Sequence, residues 1–163
     1  MAESEFLKGV MELYQGEVLG EVFFSEWLHT AEDDDQRYKI ATMMQLEGET
    51  KIRLRPWLFR LGLDTAESPQ ARADGLRAAQ GTAAMNWQEK MTMLHQMTRD
   101  RFVPRYKEIA GIAPSEDREW ALSMVDHEEA LCEMARREAS GMADRSDEPV
   151  VAQLKHPLPR PRR

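Results

Sequence analysis

Four long amphipathic stretches, each with one polar residue set into its apolar stripe, constrain the fold of this chain more than any other feature. Apolar residues recur at the three-or-four spacing of a helix face: Phe6, Val10, Leu13, Phe24 and Leu28 in the first stretch, and Ile40, Met43, Leu54, Leu58 and Leu61 in the second. Met91, Thr98 and Phe102 mark a third stripe, and Trp120, Met124, Leu131 and Ala135 a fourth. Into these stripes are set Glu17, Glu47, His95 and Glu128 in turn. A carboxylate on a buried helix face is costly unless it is paired or binds a metal, so the pattern predicts a polar site between the helices. A chain reversal within residues 30–35 brings Glu17 opposite Glu47, and one about Gly111 brings His95 opposite Glu128. All four then share one level. The plainer alternative makes each a boundary residue whose head group reaches water.

Helix signals divide the chain further. The first helix is expected over residues 4–31, capped by Ser4, with Gly16 and Gly20 on one face where a neighbouring helix can approach closely. Asp33, Asp34 and Asp35 suit the start of a second helix that runs to about Leu63, with a kink or break near Arg55 caused by Pro56. Residues 64–81 turn to Ala, Ser, Asp, Gly and Pro with no sustained stripe. Antiparallel neighbours need only about 2 to 8 connecting residues, so this longer connection predicts a crossover along the bundle, with a short helical turn near residues 71–79. The third helix is expected over residues 82–110 with a kink at Pro104, and the fourth from a Ser115 cap to Gly141. Residues 1–141 thus make a four-helix bundle, and 142–163 a basic, Pro-rich tail expected to be disordered. The alternative for the tail is docking on a partner or on the second subunit of a homodimer.

Composition excludes several function classes. A net charge of -7 and a pI near 5.2 argue against a nucleic-acid footprint. Cys132 is the single cysteine, which fits a reducing cytoplasm, and neither a secretory signal nor a membrane span is expected. The four tryptophans, one per predicted helix, read as packing anchors, and the methionine clusters as adaptable filler. No phosphate loop, paired-cysteine motif or nucleophile elbow is present.

The run Tyr14-Gln15-Gly16-Glu17, followed seven residues later by Phe24, resembles the first-helix ligand motif of rubrerythrin and bacterioferritin proteins. Ile40-Ala41 through Leu46-Glu47 to Leu61-Gly62-Leu63 is similar to their second helix. The likeness is good over the first helix pair and poor over the second. It implies an all-α, ferritin-like four-helix bundle with a long crossover between helices 2 and 3. It also implies a di-metal site whose second and fourth helices each carry a Glu and, three residues on, a His. Here Thr50 and Leu131 stand at those histidine positions, so any site is an altered one. The candidate metal ligands are Glu17, Glu47, His95 and Glu128, joined by His127 as a second imidazole and by Glu21, one turn beyond Glu17. The implied metal is iron or manganese, and the implied activity an oxidase or oxygenase acting on a small molecule. The competing expectation is a metal-free bundle that binds an organic ligand or a protein partner.

Overall fold

A computed structural model describes residues 2–161, and among these there is no β-strand. The helices are α1 (Ala2–Leu28), α2 (Asp34–Arg60), α3 (Pro69–Gly81), α4 (Trp87–Met97), α5 (Val103–Gly111), α6 (Arg118–Ala139) and a short α7 (Glu148–Val151). A π-helical turn, Thr98–Phe102, joins α4 to α5. No described helix is long and apolar enough to cross a membrane.

Local chemistry explains most boundaries. Asp33 caps α2 by accepting from the Gln36 amide at 2.8 Å. Asn86 and Glu89 form a reciprocal capping box at the start of α4. Gly141, at φ 74°, ends α6 in the left-handed conformation that glycine adopts without a Cβ penalty. Three expectations need correction. Ser4 lies inside α1, which already begins at Ala2. Pro56 does not break α2, which continues through it to Arg60. Ser115 does not cap α6, which starts at Arg118 after Asp117, whose carboxylate is instead taken by Trp57 Nε1 at 2.6 Å and by Arg60.

Helix α1 lies antiparallel to α2, as shown by contacts of Tyr14 with Arg55 and of Glu21 with Lys51. The hairpin of α4 and α5 against α6 is antiparallel too, with Trp87 bonded to Glu138 at one end and Lys107 paired to Glu129 further along. The 64–81 connection is more ordered than its composition suggests. Ser68 caps α3, and this helix packs on α1 because Gly75 presents no side chain to the backbone of Leu19.

Two apolar clusters fill the interior. One gathers Phe6, Leu13, Trp57, Leu58, Ile109 and Met124, and the other Phe24, Trp27, Met43, Met91, Leu131 and Met134. Along α1, α2 and α6 the switch from one cluster to the other falls at Glu17, Glu47 and His127 to Glu128, so a polar layer separates two halves of the core.

The described part of the segment after Gly141, expected to be a disordered tail, makes defined contacts with the helices. Val150 is fully buried in the second cluster, and the Asp147 carboxylate accepts from the Tyr38 hydroxyl at 3.2 Å and pairs with Arg160. Beyond α7, Glu49 accepts the Lys155 and His156 amides at 2.6 and 2.9 Å. The prolines do exclude helix there, but the non-helical backbone just before them still finds a carboxylate acceptor on α2. Arg162 and Arg163, which belong to the same expectation, lie outside the described residues.

Candidate metal centre

Each ligand candidate is placed by a helix whose apolar neighbours bury it. Glu17 projects from α1 between Leu13 and Phe24, Glu47 from α2 between Met43 and Leu54, and His127 and Glu128 from α6 between Met124 and Leu131. His127 Nε2 lies 3.3 Å from a Glu17 oxygen and 3.4 Å from a Glu47 oxygen, and one donor atom from each of the three residues falls within 4.8 Å of the others. Both oxygens of Glu17, Nε2 of His127 and one oxygen of Glu128 are buried with no hydrogen-bond partner. Native interiors leave very few polar atoms in that condition, because each costs on the order of 1 to 3 kcal/mol and charged groups more.

The electrostatics point the same way. Burial, then the neighbouring charges of Glu47 and Glu128, push the Glu17 carboxyl well above the usual range against the opposing charge of Arg53. Burial raises Glu128 to about 7, with Glu47 adding to the rise, while His127 and the Tyr106 hydroxyl oppose it. Tyr106, from α5, is itself pushed well up by burial and by the three carboxylates, so it remains a protonated hydroxyl facing Glu128. Crowded acidic groups of this kind favour either proton uptake or a cation among them.

Two carboxylates and one imidazole, with the Glu128 carboxylate beside them, form a donor set of hard oxygens with one nitrogen. Such a set suits divalent iron or manganese better than a thiolate-seeking metal, and the imidazole distinguishes it from the all-oxygen sets of calcium and magnesium. One tautomer of His127 fits this. His127 Nδ1 lies 3.1 Å from Thr50 Oγ1, so an Nδ1 proton given to Thr50 leaves the Nε2 lone pair aimed at Glu17 and Glu47.

The structure thus brings together Glu17, Glu47, His127 and Glu128, but neither His95 nor Glu21. His95 is half-buried with Nδ1 3.5 Å from Cys132 Sγ, one turn along α6 from Glu128. The hairpin reverses at residues 112–117 rather than at Gly111, and the π-helical turn adds a further offset, so Tyr106 takes the place expected of His95. Glu21 points to the outer seam of α1 and α2, where it pairs with Lys51. Lys51 also holds Glu67, leaving Glu21 committed to an ion-pair chain.

Thr50 is a residue whose role the spacing did not reveal. Standing where a ligating histidine was expected on α2, it instead orients a histidine on α6. Tyr106 lies one turn beyond Phe102, where the third stripe was taken to end, on the helix that follows the π-helical turn, and that turn has one legible cause. Pro104 has no amide hydrogen, and its ring would collide with the Asp100 carbonyl in a regular α-helix. The backbone widens instead, with the Val103 amide donating to the Thr98 carbonyl.

A cavity of about 340 Å³ adjoins the polar layer and is bordered by Glu47, Tyr106 and Glu128. Gly16 and Gly20 line it on α1: a Cβ at Gly16 would sit 2.8 Å from the Tyr106 hydroxyl, and one at Gly20 would collide with the Glu47 carboxylate. These two glycines serve the site rather than the helix contact expected of them; the close backbone approach on α1 is made by Gly75 of α3.

Searches against family models, curated proteins and solved structures give no match to this chain.

Proposed function

We propose that the helices form a ferritin-like bundle, with α3 inside the crossover from α2 to α4, and that Glu17, Glu47 and His127 bind one iron or manganese ion with Glu128 beside them. The reading rests on one observation: buried carboxylate and imidazole atoms converge within 4.8 Å, and those of Glu17 and His127 lack any hydrogen-bond partner. A divalent cation satisfies all of them at once and offsets part of the negative charge. When bound, such an ion supplies redox capacity toward dioxygen, which makes the protein an oxidase or oxygenase for a small molecule.

The chain's own residues set the conditions for that chemistry. Thr50 fixes the His127 ring, the two apolar clusters exclude bulk water above and below the polar layer, and Tyr106 keeps a proton donor at the cavity side of Glu128. The rival reading is a metal-free bundle that binds an organic ligand, and the cavity beside the polar layer is what favours it.

Metal analysis of the untagged full-length protein, dialysed after loading with iron or manganese, separates the two. Retention of about one ion per chain is expected, with loss in Glu47→Ala. At a free metal concentration a hundredfold above Kd, the folded state gains about 2.7 kcal/mol. Wild-type protein that emerges metal-free, with a melting temperature unmoved by either ion, refutes the metal reading.

A further inference from the structure

The cavity beside the polar layer has one chemical character along its walls and another at its inner end. Its walls come from α1, α3, α4 and α6 and include Leu19, Phe23, Ala78, Met93, Met97 and Leu131. Its titratable groups gather where the cavity meets Glu47, Tyr106 and Glu128, two threonine hydroxyls, of Thr82 and Thr98, already bonded elsewhere, also line it, and no lysine or arginine does. A pocket that is mostly apolar with a few convergent polar groups is the usual form of a small-molecule site. Gly16 and Gly20 are part of its construction, because a side chain at either position would meet the groups at the inner end. The π-helical turn contributes Thr98 and Phe102 to the lining, and such turns recur at functional positions.

We propose that this cavity seats a neutral, mainly apolar organic molecule whose single polar end lies at Tyr106 and Glu128. Size follows from volume: a cavity of about 150 Å³ accepts benzene, so roughly twice that space takes a frame of about ten to fourteen carbon atoms. Charge follows from the inner end. In the metal-free protein an anionic head group would meet Glu47 and Glu128 with no cation in the lining to balance it, whereas a hydroxyl can accept from Tyr106 and donate to a carboxylate. The methionines on α4 give walls that adapt to shape, which fits a rigid ring system as well as a flexible chain. The molecule's role as substrate rests on the metal reading above; its seat does not.

Calorimetric titration of the full-length protein with naphthol and with naphthoate tests the seat, once after metal removal and once after loading with manganese. These probes share a ring frame and differ in the charge of the substituent. Naphthol is expected to bind with one molecule per chain, and naphthoate at least about tenfold more weakly, a difference of about 1.4 kcal/mol. Ala78→Trp, which fills the α3 wall away from the carboxylates, should weaken naphthol at least about tenfold while manganese content stays at the wild-type level. Should that variant lose helicity, Met97→Trp fills the opposite wall. Naphthol binding that is absent, or unchanged in a folded, filled variant, overturns the seat, and naphthoate binding to the metal-free protein as tight as naphthol overturns its neutrality. Naphthol binding without any manganese uptake upholds the seat and removes the substrate role; manganese uptake without naphthol binding does the reverse, leaving the metal reading intact.

Discussion

Stability of the metal-free protein should fall as pH rises from 5.5 to 8, opposite to the behaviour of a protein held by ordinary ion pairs. Glu128 is buried, and its carboxyl is raised from 4.5 to about 7 by that burial first and by Glu47 next. A carboxyl whose folded pKa lies above its unfolded one keeps a proton that the unfolded chain has released, so its stabilising contribution is complete below 4.5 and is lost as pH rises through about 7. The shift is worth about 3 kcal/mol in all, of which about 2 kcal/mol is lost between pH 5.5 and 8. Glu17 is shifted in the same direction by burial and by Glu47, so it adds to the loss. Surface carboxylates such as Glu133, held low at about 2 by Arg136 and Arg137, contribute nothing to the slope here because they are ionised in both states above pH 5.5.

Urea unfolding of chelator-treated protein at half-unit pH steps measures the slope, and Glu128→Gln, which cannot titrate, should remove about 2 kcal/mol of it. Bound metal must reverse the sign, because it requires ionised ligands, so the loaded protein should gain stability across the same window. A metal-free protein whose stability is flat or rising from pH 5.5 to 8 would refute the buried-carboxylate reasoning.

Two further outcomes follow from single contacts. Thr50→Val keeps the shape of the side chain but removes the partner of His127 Nδ1, and it should weaken metal binding about 10- to 100-fold in a competition titration while leaving the fold intact. Deleting residues 144–163 uncovers the Val150 site, removes Ser146 from Glu138 and frees Tyr38 from Asp147. That should cost about 3 kcal/mol and lower the melting temperature by roughly 10 °C, and an unchanged melting curve would show that the segment contributes nothing.

How legible the molecule was depended on whether a signal was local. Stripes of apolar residues located α1, α2 and α6 and set Glu17, Glu47 and Glu128 on their inner faces, because a helix repeats its environment every turn. His95 failed because its placement required the centre of a hairpin and an unbroken α register, and both shifted: the turn is longer than the breaker residues suggest, and Pro104 widens the helix before it. His127 could be named as an imidazole but not placed, since one residue of rotation separates a surface histidine from a buried one. The terminal segment escaped because its anchors are acceptors supplied by α2, chiefly Glu49, and composition carries no trace of a partner so distant in sequence.

The widened turn at Thr98–Phe102 makes the length of this segment as consequential as its side chains. An α-helix turns about 100° per residue, so closing this turn to a regular one at unchanged length would swing everything beyond it by up to about that angle and advance it by up to about 1.5 Å. Tyr106 would leave Glu128, and Ile109 would leave the first apolar cluster. Substitutions at exposed Arg99, Asp100 and Arg101 leave that geometry alone, whereas replacing Pro104, the cause of the wide turn, lets the helix regularise and changes what faces the polar layer. A descendant with a regular helix here would have to find another residue to stand over Glu128.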